Sequence, residues 1–369
     1  MASKRFKEQS KRSKHKGDVK LNLKEKYQGK KVFITGITGF KGSWLALILN
    51  ELGAEVYGLG LKQEDLRSIY YKANIEDFAK IHYVDIRDIE NSEFLLSVID
   101  MYNCDYIFHL AAQPLVSIGY KNPIYTFDVN VMGSLFIHRF VSGMDKDVTF
   151  VNITTDKVYK PSDKPHKEDD ELRAIDPYSL SKVMSEQITD LYRNQYFNDN
   201  IKSYTVRAGN VIGGGDYSQD RIITDLVESL ENNTTLHLRN PGSVRPYQYV
   251  LDCLMQYLVV AAYGKECSYN IGPSDNMLTT TLSLVESFKN IDNNLKYDFN
   301  ADSVGEEAKT LYLNTDRFSN EFLIEPFCKS IDQLANLTLE WYNKNINDEE
   351  LEDFSRKQVK EIIRYYDKN

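Results

Sequence analysis

The chain has 369 residues, 42% hydrophobic and 27% charged, a composition that excludes a disordered or collagen-like chain and allows a packed core in one large or two coupled domains. Its 54 acidic residues outnumber its 45 basic ones for a net charge of −9, so an anionic ligand has to be met by local cations and not by the field of the whole molecule. No apolar run reaches the ~18–20 residues of a membrane span, and Cys104, Cys253, Cys267 and Cys328 lie far apart with no CxxC pair, which argues against a disulfide framework or a metal site and fits a reducing, cytoplasmic setting.

The first twenty residues are basic and nearly free of apolar side chains. Without a hydrophobic segment they do not read as a secretory signal, and residues 1–27 are expected to form a disordered arm. From Lys31 strands and helices alternate. Strands are expected at 31–36, 54–60, 81–88, 105–112, 149–155 and 202–211, and helices at 43–53, 64–75, 90–102, 123–143 and 177–197. This spacing implies an α/β fold of the doubly wound Rossmann type, a parallel sheet with helices on both faces. Residues 28–211 read as a dinucleotide-binding domain. Residues 212–369 read as a smaller α/β substrate-binding region, with some return of the chain to the core.

The first strand runs into Gly36-Ile37-Thr38-Gly39-Phe40-Lys41-Gly42. Gly36 permits a tight turn, Gly39 a close backbone approach to a pyrophosphate, and Gly42 the packing of helix on strand. The helix N-terminus then offers free N–H groups to the phosphates. An acidic residue for a ribose hydroxyl is expected about 20 positions on, but the second strand ends Tyr57-Gly58-Leu59-Gly60. Lys62 and Arg67 are loosely placed for a 2′-phosphate, so this test leaves NAD and NADP both open. Asp85 is placed to bond an adenine amino group.

Asp176 and Pro177 open a helix in which Tyr178 and Lys182 stand four residues apart, on one face. A phenol with a pKa of ~10 is a poor base at neutral pH, and a lysine ammonium beside it favours the phenolate. Such a pair can take a proton from a sugar hydroxyl as the carbon is oxidised. The fifth strand ends Thr154-Thr155-Asp156-Lys157, at the end of the sheet that faces a cofactor. Thr155 can bond the same hydroxyl. Asp156 can protonate a leaving C6 hydroxyl once C4 is a ketone. Lys157 is either the base for C5 or a cation that stabilises the enolate. Asn210, in Arg207-Ala208-Gly209-Asn210, together with Arg221 and Arg245, is a candidate for a sugar-nucleotide diphosphate.

With these residues the chain resembles the extended short-chain dehydrogenases/reductases, and within them the CDP-glucose 4,6-dehydratases. The resemblance is carried by KVFITGITGFKGSWLALIL, FHLAAQPLVSIGYKNPIYTFDVNVMGS, DPYSLSKVMSE, RAGNVIGGGD, RNPGSVRPYQYVLD and FSRKQVKEIIRYY, roughly residues 28–365. It implies a tightly held NAD restored each turnover, with Phe40, Ile86, Leu110, Ala111, Ala112 and Asn130 also at the cofactor. It implies Gln113 and Tyr249 at the substrate. It further implies a homodimer, or a dimer of dimers, built on the 123–143 and 177–197 helices. The chain departs where the family usually has TSDKCY and RPWQHV: here stand Thr154-Thr155-Asp156-Lys157-Val158-Tyr159 and Arg245-Pro246-Tyr247-Gln248-Tyr249-Val250. A 4-epimerase, a dehydratase for another nucleotide sugar, or a dinucleotide-binding regulatory protein are the other readings.

Overall fold

The computed structural model describes residues 21–162, 164–274, 277–299, 312–346 and 350–368. The basic stretch 1–20 lies outside the described residues. The expected arm nevertheless ends sooner than residue 27. Leu21, Leu23 and Tyr27 are buried, on or next to the helix Leu23–Tyr27, which Asn22 caps by accepting the Glu25 N–H. Three apolar side chains in seven residues are enough to dock this turn on the core.

Twelve strands follow among the described residues: β1 Lys31–Thr35, β2 Glu55–Gly60, β3 Ala79–Tyr83, β4 Tyr106–His109, β5 Val148–Thr155, β6 Ile201–Ala208, β7 Asn210–Ile212, β8 Thr235–Leu238, β9 Val244–Tyr249, β10 Ser268–Asn270, β11 Leu278–Thr280 and β12 Lys296–Phe299. Seven form one sheet in the order β10-β6-β5-β4-β1-β2-β3. All its pairings are parallel. Because chain order reverses between β1 and β4, a crevice opens at their carboxyl ends, where such sheets bind ligands.

Several elements are shorter than the apolar pattern suggests. The third strand stops at Tyr83, because the Asp85 carboxylate accepts the Arg87 N–H two residues on and turns the chain. Of the 64–75 helix only Ile69–Lys72 forms; the Gln63 and Asp65 side chains take the N–H groups of Glu64, Asp65 and Arg67 that a helix would need. The 123–143 segment is helical but widens to a π-turn over Asp128–Gly133. There Gly133 lies so close to Ile86 that a Cβ would come within 2.8 Å of it.

Gly209 separates β6 from β7, which leaves the main sheet and pairs with β9. The sheets β11-β9-β7 and β12-β8 belong to the C-terminal half. That half also returns to the core: β10 pairs with β6, and the helices Val250–Tyr263 and Leu351–Tyr366 pack on the helix Phe40–Glu51. The latter is buried on nearly every side from Gly42 to Leu49, which explains its all-round apolar sequence.

Candidate active site

The glycine loop has the shape the spacing predicts. Gly36 has φ +75°, and a Cβ on it would lie 2.9 Å from the Ala111 nitrogen, while one on Gly42 would overlap the Gly36 carbonyl oxygen. Gly39 precedes a helix with no acidic residue in its first turn, so the N–H groups there face no competing negative charge. Beside the loop lies a cavity of about 150 Å³ lined by Thr38, Gly39, Phe40, Gln63, Asp65, Ser68 and Asp216, among others. These features fit a dinucleotide pyrophosphate.

The missing acidic residue after β2 has a steric reason. A Cβ on Gly60 would meet the Thr38 hydroxyl at 2.5 Å. The loose basic candidate is also accounted for. Arg67 pairs with Asp65 at 2.8 Å and Glu231 at 3.0 Å and lies 4.1 Å over the Tyr217 ring. Its side chain is 45% exposed, and its guanidinium is held by these two carboxylates at the surface. Asp85 likewise holds Arg87 through both carboxylate oxygens, which lowers its pKa.

Asp176 caps the helix Pro177–Gln195 through the Ser179 N–H, and this places Tyr178 and Lys182 under the end of β5. Lys182 donates its ammonium to the Ile153 carbonyl at 2.9 Å. Burial lowers its pKa to about 8, with Glu186 opposing and Lys41 adding. Burial likewise pushes the Tyr178 phenol up to about 12, while its hydrogen-bond partner Thr155 and the nearby Arg221 act the other way. In the protein alone the phenol thus moves away from the phenolate, opposite to the effect expected of Lys182.

Thr155 donates to Asp156 Oδ1 at 3.0 Å, and Lys157 pairs with the same oxygen at 3.6 Å. The Asp156 side chain is 1% exposed, yet its Oδ2 has no hydrogen-bond partner. A buried carboxyl oxygen without a partner is costly unless a ligand completes it. Gly209 keeps the space beside it open, since a Cβ there would lie 3.3 Å from Oδ2 and from Pro246 Cγ. The β6–β7 junction and Pro246 of β9 therefore meet at Asp156, Asn210 pairs in register with Tyr247, and Arg245 is buried on β9 and donates to the Val244 carbonyl.

Behind this edge a buried pair fixes the end of β5. Glu186 accepts from Arg207 through both carboxylate oxygens and from the Thr154 hydroxyl. Arg207 also donates to Tyr159 Oη and the Glu168 carbonyl. Glu186→Gln leaves a buried guanidinium without counter-charge. It is expected to lower stability by about 3–5 kcal/mol, read as the shift of a urea midpoint; a shift too small to measure would mean that the pair holds nothing in place. Residues 158–162 and 164–176 join this packing through the bridges Tyr159–Leu172 and His166–Leu313.

Two expected substrate residues lie elsewhere. The Gln113 amide is spent inside the protein, on Thr126 Oγ1 and the Leu115 N–H, and its backbone is clamped by Asn130. Asn130 in turn donates to Ser181, so it acts as a brace between the π-turn and the Tyr178 helix. Tyr249 is a core residue, buried against the C-terminal helices, where burial and Asp252 raise its pKa. Conversely, Lys41 passes unnoticed in a list of glycines. Its ammonium turns inward to Tyr257 Oη at 3.2 Å and acts electrostatically on Lys182.

A sequence profile of the GDP-mannose 4,6 dehydratase family matches residues 33–321. The chain belongs to this family of nucleotide-sugar dehydratases. It is 40% identical over 274 residues to the CDP-glucose 4,6-dehydratase of Salmonella typhimurium, covering 70% of this chain and 76% of that protein. It is 30% identical over 176 residues to the GDP-mannose 4,6-dehydratase of Vibrio cholerae, where the match spans 45% of this chain and 46% of that one. Among solved structures, the dTDP-glucose 4,6-dehydratase of Bacillus anthracis in complex with NAD superposes with TM-score 0.70 at 22% identity, over 86% of this chain and 97% of the other. An NAD-dependent NDP-hexosamine 5,6-dehydratase of tunicamycin biosynthesis gives 0.73 at 20%, over 85% and 98%. These two likenesses establish the fold. In this chain Tyr178 and Asp156 lie close enough that the Asp156 charge acts on the Tyr178 phenol.

Proposed function

We propose that the protein is an NAD-dependent 4,6-dehydratase of CDP-glucose, yielding the 4-keto-6-deoxy sugar. The observation that carries this reading is Asp156: a buried carboxyl with one oxygen unpartnered, beside Lys157 and the Thr155–Tyr178 pair. An epimerase needs only the hydroxyl and the phenol; the extra acid suits loss of water.

NAD, when bound, supplies the acceptor for hydride from C4, its return to C6 and a positive ring near the phenol. Gly36, Gly39, Phe40 and Gly42 would hold its pyrophosphate, with Asp85, Ile86, Leu110, Ala111, Ala112 and Asn130 shaping the remainder of the cleft. Tyr178 takes the O4 proton, Thr155 orients O4, and Lys182 holds the ribose. Asp156 protonates the departing C6 hydroxyl. Lys157, 3.6 Å from Asp156, takes the C5 proton as the C6–O bond breaks, so that the C5–C6 double bond forms and water leaves. Asn210, Arg221 and Arg245 meet the diphosphate. Residues 28–211 carry the cofactor and 212–369 mainly the sugar nucleotide. The exposed Ile124, Leu180 and Leu191 on the 123–143 and 177–195 helices support a homodimer through these faces. No described helix is long and apolar enough to cross a membrane, and a cytoplasmic setting fits the substrate.

Incubation with CDP-, UDP-, dTDP- and GDP-sugars, read by product mass, tests the reaction. Loss of one water from CDP-glucose alone is expected; an unchanged mass with altered chromatography would make the protein an epimerase. Cofactor released on denaturation is expected to be NAD, because Arg67 is neutralised by Asp65 and Glu231. Mainly NADP would overturn that part.

A further inference from the structure

Lys41 is the charged side chain of the glycine loop, and it does not point to solvent. It is half-buried, donates to Tyr257 Oη at 3.2 Å and lies 5.8 Å from that ring. Tyr257 is itself fully buried on the helix Val250–Tyr263. No carboxylate forms an ion pair with Lys41 among the described residues. The groups that act on it are the Cys253 thiol, Arg221, Asp156 and Lys157. Two of these are cations, Lys182 is a third, and the single carboxylate, Asp156, is already paired with Lys157. Burial therefore lowers the pKa of Lys41.

A cation withdrawn from water and short of counter-charge is a cost in the ligand-free protein. It persists where an anion completes it. Among the groups acting on Lys41, Asp156 keeps one buried oxygen, Oδ2, without a hydrogen-bond partner, while Arg221 Nε has no hydrogen bond but lies 3.5 Å from the Asp216 carboxylate. The Gly36, Ile37 and Gly39 N–H groups are bonded within the protein, so the backbone donors left for an anion are those of the first turn of the helix Phe40–Glu51, which carries no acidic residue. Lysine binds phosphate as a flexible point charge, which suits a stem that has to reach past a glycine turn.

We propose that the Lys41 ammonium binds a diphosphate oxygen of a ligand seated on the glycine loop, adding a side-chain cation to the backbone donors of the helix's first turn. This rests on the reading of the cleft given above only for the two candidate ligands, the dinucleotide and the nucleotide sugar.

Lys41→Met keeps the length of the stem and its contact with Tyr257 but removes the charge, and Lys41→Arg restores a charge. Binding of NAD to cofactor-stripped protein and of CDP to NAD-loaded protein, both by calorimetry, are compared across the three proteins. Lys41→Met is expected to weaken one of them by about 10–100-fold, with Lys41→Arg recovering most of the loss. Loss confined to NAD assigns the contact to the cofactor's pyrophosphate; loss confined to CDP assigns it to the substrate's. Ligand-free Lys41→Met should melt no lower than wild type, because an uncompensated cation has gone. Affinities for both ligands within about threefold of wild type would overturn the proposal. So would a melting temperature well below wild type with binding lost equally in Lys41→Arg, which marks a structural role. NAD binding is read without turnover. Failure to dehydrate any nucleotide sugar would therefore sink the proposed reaction and leave this result standing.

Discussion

Tyr178→Phe is expected to reduce turnover by about 10²–10⁴-fold while cofactor and nucleotide sugar still bind. The substitution removes one oxygen from a side chain that is 8% exposed and leaves the ring packed where it stands. Helix position is unaffected, because Asp176 and the Lys182–Ile153 bond fix it from either side. What disappears is the acceptor for the O4 proton. The phenol is held up to about 12 by burial in the ligand-free protein, with Thr155 and Arg221 acting the other way, and a bound oxidised cofactor would add a positive charge that favours the phenolate. Binding and turnover should therefore separate cleanly in this variant. Turnover near that of wild type would mean that the base lies elsewhere, and loss of cofactor from the purified variant would mean that the phenol is mainly a binding group.

The sheet could be read from the sequence because its strands are buried on both faces and so appear as short apolar runs between glycine turns and helices. The ends of elements were less legible for a local reason. Asp85, Gln63 and Asp65 divert backbone N–H groups with their own side chains, and an apolar pattern does not register that competition. The glycine loop and the Tyr178–Lys182 spacing were legible because a strand, a loop and a helix carry them within a few residues. Gln113 and Tyr249 were not, since what decides their direction is distant in sequence. Gln113 is clamped by Asn130 and bonded to Thr126, and Tyr249 faces the C-terminal helices that bear Glu340 and Glu361. Lys41 was visible as a lysine in a glycine loop, but only the fold shows that its head meets Tyr257, over two hundred residues away.

Asp156→Asn separates oxidation from elimination. The amide keeps the size of the carboxyl and can still accept from the Thr155 hydroxyl, which Asp156 Oδ1 does at 3.0 Å. It cannot give a proton to a leaving C6 oxygen. It also releases Lys157, now 3.6 Å from a carboxylate oxygen, from its counter-charge. Tyr178, Thr155 and Lys182 remain, so C4 should still be oxidised in the first turnover. Elimination should then slow by about 10²–10⁴-fold, the usual worth of a positioned general acid. Without elimination C6 cannot accept the hydride, which can go back only to the C4 ketone, so the reduced cofactor and the 4-keto sugar persist together on the enzyme. Reduced cofactor is therefore expected to build up on the variant after mixing with CDP-glucose, seen as a rise in its fluorescence in a single turnover, while wild type shows little. The unpartnered Oδ2 makes the expectation specific, because it is the carboxyl oxygen that no group of the protein engages. Dehydrated product formed at the wild-type rate would remove Asp156 from the acid role. Absence of any cofactor reduction would place it earlier, in the orientation of O4 through Thr155, and the roles of phenol and carboxyl would have to be reassigned.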